Sequence, residues 1–114
     1  MTKVVLMGVV LLVAACAAPA PDTFHTATKA QIQPAVVGHT VTFSDGLVLD
    51  YKPDGGYVAT SRGQVDKGNY TINDNGTICV KFIPTGERCD TILTDGSSFI
   101  LVNKDGKRFS MTIR

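Results

Sequence analysis

The sequence predicts an all-β fold: an antiparallel meander of seven or eight strands forming a small barrel or sandwich, behind a signal peptide and a flexible tether. Two observations predict it. Turn dipeptides recur beyond Gly38, at Asp45-Gly46, Asp54-Gly55, Asn75-Gly76, Thr85-Gly86, Asp95-Gly96 and Asp105-Gly106. Such pairs accept the positive φ angles that tight hairpins demand. Between the turns, apolar and polar residues alternate with period two, which turns one face of each strand to a core and the other to solvent.

The elements follow in chain order. Met1-Thr2-Lys3 gives a short cationic start, Val4 to Val13 an apolar run, and Ala14-Ala15 small residues before Cys16. This is the layout of a secretory signal. The run is too short to span a bilayer, which takes about twenty apolar residues. Val13-Ala14-Ala15-Cys16 resembles the bacterial lipobox. That resemblance implies removal of residues 1–15, a diacylglycerol on the Cys16 thiol and acylation of the new amino group. Ala17 follows the cysteine where aspartate would imply retention at the inner membrane, so the expected location is the cell envelope, on the outer membrane facing the periplasm. Residues 16–37 are rich in Ala, Pro and Thr and read as the lipidated cysteine with a flexible tether. A turn or two of helix over Thr28 to Gln33, before Pro34, is compatible with that segment.

Residues 38–114 carry the strands. Val41 and Phe43 alternate with threonines; Leu47, Leu49 and Tyr51 with Val48, Asp50 and Lys52; Tyr70 and Ile72 with Asn69, Thr71 and Asn73. Ile78, Val80 and Phe82 then alternate with Thr77, Cys79 and Lys81. Ser98 to Val102 is nearly all apolar, and Phe109, Met111 and Ile113 close the pattern. No long helix is expected after residue 38. A domain of this size buries only about 60% of its unfolded surface and benefits from a staple. Of the three cysteines, Cys79 and Cys89 remain to form a disulfide once Cys16 is lipidated. Placing Cys79 opposite Cys89 sets Lys81 against Glu87, a favourable cross-strand pair. The same register sets Val80 against Arg88 and Ile78 against Asp90, which is poor for a buried face, and a bulge near Arg88 would relieve it.

Composition narrows the function. The chain of 114 residues has 11 basic and 10 acidic side chains, and loss of Lys3 with the signal leaves the charges balanced. No basic stripe marks a nucleic-acid partner. The two histidines, His25 and His39, lie far apart and supply neither a metal centre nor a catalytic triad. The aspartates mostly accompany glycine in turns and lack the spacing of a calcium loop. No catalytic residues, cofactor or metal are therefore assigned. Residues 55–64 read as an ordinary strand and turn, with a recognition loop presenting Tyr57, Ser61, Arg62 and Gln64 as the functional alternative.

The run Gly68-Asn69-Tyr70-Thr71-Ile72, Gly76-Thr77-Ile78-Cys79, Gly86-Glu87-Arg88-Cys89 and Asp95-Gly96 resembles small periplasmic and lipoprotein β domains of proteobacteria that form families of unknown function. The resemblance covers about residues 38–106 and implies a fold and a compartment. The design is also loosely similar to lipidated inhibitors of lysozyme or secreted proteases, whose signature residues are not found here. The expected function is a lipid-anchored, non-enzymatic binding or structural module of the envelope, held to the membrane by its acyl chains and open to an envelope protein partner. An inhibitor of lysozyme or a protease, and a lipocalin-like carrier of a small apolar ligand, are the alternatives.

Overall fold

The structure, a computed structural model, describes residues 23–114. Nine strands and one helix succeed one another: β1 (His25–Thr26), α1 (Lys29–Val36), β2 (His39–Thr42), β3 (Val48–Tyr51), β4 (Gly56–Ser61), β5 (Gln64–Ile72), β6 (Thr77–Ile83), β7 (Glu87–Thr94), β8 (Phe99–Val102) and β9 (Arg108–Ile113). Strands β2 to β9 pair with their sequence neighbours, all antiparallel, and β9 pairs back onto β2, which closes an eight-stranded up-and-down barrel. The fold is thus the barrel of the two expected architectures. All six glycines of the turn dipeptides have positive φ. Their Asp and Asn neighbours also work, as when the Asp45 carboxylate accepts from the Leu47 N–H at 3.1 Å.

The alternation fills the barrel from within. Val41, Leu49, Ile78, Val80, Ile92 and Leu101 are buried. An aromatic layer crosses the interior, with Tyr51 edge-on to Tyr57 and Tyr70 at ring separations of 5.4 and 5.1 Å. Tyr57 also meets Phe82 at 5.9 Å. Gly68 stands between those two rings in the ladder, opposite both Tyr57 and Phe82. A Cβ there would overlap the Lys81 carbonyl oxygen, so only glycine leaves space for the two rings to meet across the strand.

The segment expected to be tether is, from residue 23 to 37, part of the fold. β1 adds to the edge of β7 beyond the start of β6, His25 opposite Thr94 and Thr26 opposite Leu93. The Ala27 N–H then donates to the Ile92 carbonyl at 2.8 Å. Thr28 caps α1 with a reciprocal box: its hydroxyl accepts from the Gln31 N–H at 3.1 Å, and the Gln31 side chain accepts from the Thr28 N–H at 2.9 Å. Pro34 lies inside the helix and does not end it. Ile32 and Val36, one turn apart on the same face, are wholly buried in the barrel core. Burying Ala27, Ile32 and Val36 is what overrides the tether-like composition, since the apolar area removed from water outweighs one lost helical hydrogen bond. Residues 1–22, and with them the signal and Cys16, lie outside the described residues.

The expected bulge near Arg88 is absent. β6 and β7 pair regularly from Thr77 opposite Thr91 to Lys81 opposite Glu87. The register therefore does set Arg88 and Asp90 on the inner face, and they resolve the conflict by pairing with each other.

Candidate functional site

The two ends of the barrel differ. Turns 52–56, 73–77 and 95–98 share one end with the start of β2, and this is the end at which β1 and α1 attach. Turns 43–47, 62–63, 84–86 and 103–107 share the other. There the barrel opens into a cavity of about 200 Å³. Its apolar walls come from Phe43, Leu47, Leu49, Leu101 and Phe109, and Phe43 meets Phe109 edge-on at 6.3 Å. Tyr57, Arg88, Asp90, Asp45 and Asn103 supply its polar atoms.

Arg88 and Asp90 face the same way because they stand two apart on β7. Arg88 Nε donates to Asp90 Oδ2 and Nη2 to Oδ1, both at 2.9 Å. This geometry engages one edge of the guanidinium and leaves the other edge, Nη1 and the second Nη2 hydrogen, without a partner among the described residues. The hydrogen bond to Asp90 pushes the Arg88 guanidinium further above its ordinary range, so it stays charged throughout the accessible pH range. Tyr57 lies beside the pair. Burial pushes its phenol up to about 12, Arg88 opposing and Asp90 reinforcing the shift. Tyr51 lies deeper, and burial raises its phenol further still. The Tyr70 hydroxyl, by contrast, donates to the Lys52 carbonyl at 2.7 Å near the opposite end.

The sequence-predicted sites are distributed as follows. Cys79 and Cys89 form a disulfide, directly opposite one another on β6 and β7 and on the outer face of the barrel. Residues 55–64 are not a protruding loop. They form β4, paired on both sides, and a two-residue turn in which Arg62 and Gly63 have φ of 51° and 80°. Tyr57 leaves the proposed loop altogether and lines the cavity, whereas Ser61, Arg62 and Gln64 sit at the tip of the β4–β5 hairpin, on the open end. The histidines are apart, His25 Nδ1 near the Thr23 carbonyl and His39 Nδ1 near the Arg114 carbonyl. Among the described residues no three His, Cys, Asp or Glu side chains come together to hold a metal ion.

Sequence reasoning missed Arg88 and Asp90 as site residues. The signal was present: two charged residues on the face that the cysteine register turns inward. Compared with family models, with curated proteins and with solved structures, the chain matches none.

Proposed function

We propose that the protein is a lipid-anchored component of the bacterial cell envelope whose barrel is a non-enzymatic binding module, with the open end as its binding face. The observation that carries this reading is the polarity of the barrel. The described chain starts at the end that α1 occupies, and the cavity opens at the other. Six residues, 17–22, separate Cys16 from Thr23. A fully extended chain covers at most about 3.6 Å per residue, so an acylated Cys16 would hold the barrel within about 25 Å of the membrane. The α1 end then faces the lipid and the cavity faces the aqueous space.

The alternatives find less support. A lipocalin-like carrier of a drug-sized apolar ligand needs a pocket of about 300–1,000 Å³, and this cavity, at about 200 Å³, has room only for a smaller one. An inhibitor needs a projecting loop, and residues 55–64 are strand and tight turn.

Intact-mass analysis of the native product tests the anchor: the expected mass lacks residues 1–15 and carries fatty acyl chains on Cys16. Met1 retained without acylation would overturn the lipid-anchored reading. Affinity capture from envelope extracts, native chain against a variant with Leu101→Trp in the cavity, tests the binding face. A partner or ligand retained only by the native chain is the expected outcome, and identical captures would reject the open end as that face.

A further inference from the structure

We propose that the open end of the barrel binds a small organic acid, its carboxylate on the free edge of Arg88 and its apolar body between Phe43, Leu101 and Phe109. The assignment rests on reading the barrel as a binding module and names the ligand class of that module.

Size sets the first bound. An apolar cavity of about 150 Å³ accommodates benzene. A cavity of about 200 Å³ therefore takes one ring, or an aliphatic group of that bulk, together with a carboxylate. Acyl chains and polycyclic ligands are too large.

Hydrogen-bond inventory sets the second. Asp90 occupies the Nε/Nη2 edge of Arg88 and fixes the guanidinium plane. The remaining Nη1/Nη2 edge is a second parallel pair of N–H donors, the fork that a carboxylate accepts bidentately. Arg88 lines the cavity with a side chain 47% exposed, so that edge is reachable. Other donors stand nearby. The Tyr57 hydroxyl has no hydrogen bond within the described residues. Asn103 spends its side-chain oxygen on the Asp105 and Lys107 N–H groups, at 3.0 and 2.9 Å, and keeps its amide hydrogens. Of the two lining carboxylates, the one beside Arg88 is ion-paired. The Asp90 carboxylate is held by Arg88, and the Asp45 Oδ1 by the Leu47 N–H. A cavity with spare donors and apolar walls selects a ligand with acceptors and an apolar body. Asp90 already balances the Arg88 charge, whereas the Asp45 carboxylate lines the same cavity with no ion-pair partner among the described residues, which is why a cationic probe belongs in the test.

The full native chain, purified from membranes in detergent, is titrated with 3-phenylpropionate, 3-phenylpropionamide and phenethylamine while amide and Arg Nε–H resonances are followed by NMR. Ligands of this size bind with dissociation constants on the order of millimolar. The acid is expected to shift the Arg88 Nε–H together with the Leu101 and Asn103 amides. The amide should bind about tenfold more weakly and the amine not detectably. Arg88→Lys, which keeps the charge and loses the fork, should weaken the acid about tenfold and leave the amide unchanged. Equal binding of acid and amide, or preferential binding of the amine, overturns the carboxylate assignment and leaves a binding module standing. No binding by any of the three overturns the assignment and removes the open end as the binding face. The comparison of the three probes uses only the native chain, so it decides the matter even where Arg88→Lys fails to fold.

Discussion

Arg88 and Asp90 form one ion pair with two unequal partners: the arginine side chain is 47% exposed and the aspartate side chain 9%. Losing either one therefore has a different cost. Without Arg88, a buried carboxylate loses the cation it pairs with. Without the Asp90 charge, the guanidinium can still turn toward water.

Arg88→Met is accordingly expected to destabilise the barrel by about 2–3 kcal/mol, and Asp90→Asn by about 1 kcal/mol. The double variant Arg88→Met/Asp90→Leu should recover most of the loss, because an apolar pair suits the inner face. Urea titration of the full chain reads all three. A larger loss from Asp90→Asn than from Arg88→Met would contradict the asymmetry.

A second prediction concerns the joint between the N-terminal segment and the barrel. Gly76 has φ +86°, and a Cβ on it would overlap the Thr26 methyl and the Ala27 carbonyl oxygen. Gly76→Ala should cost about 2–3 kcal/mol. Its signature is local: the amides of Ala27 and Ile92, which bond across this joint, should lose hydrogen-exchange protection together. Unchanged protection at Ala27 would show that β1 does not depend on the contact.

Alkali should unfold the barrel. The Tyr57 phenol titrates near 10 in the unfolded chain and near 12 in the fold, so the folded state holds this proton more tightly. Its contribution is fully present below pH 10 and is lost as the pH rises toward 12. The difference corresponds to about 3 kcal/mol for Tyr57, and Tyr51 acts in the same direction. Tyr57→Phe should flatten the fall in stability between pH 10 and 12, as measured by urea midpoints. A profile as steep as that of the native chain would refute the assignment.

Reduction of the disulfide is expected to lower stability without dissolving the barrel. In the loop-entropy account a link across about eleven residues contributes about 2–3 kcal/mol. Cys79→Ser/Cys89→Ser should lose that amount. The bridge lies on the outer face, so the cavity resonances of Leu101 and Asn103 should not move. Shifts there would tie the bridge to the site.

The barrel was legible in the sequence because each hairpin announces itself locally, through a turn dipeptide and a period-two pattern. Even the cysteine register followed, from Lys81 facing Glu87. What escaped depended on long-range burial. Thr28-x-x-Gln31 is a capping box, and Ile32 and Val36 share one helical face, yet Pro19, Pro21 and Pro34 gave the stretch the composition of a linker. Only the barrel end that receives Ile32 and Val36 makes that helix worthwhile. The site escaped for the opposite reason. Asp90 on an inward face looked like an error of register, and the remedy lay two residues away on the same strand.

The seam between β2 and β9 has a further consequence. It joins Thr42 to Thr112, 70 positions away, and Thr40 to Arg114 through two backbone hydrogen bonds. No earlier subset of staves can form a ring, so the cylinder stays unsealed until nearly the whole polypeptide is available. Were the chain exported unfolded, as the proposed envelope location would require, the ring could seal only after the last strand had crossed.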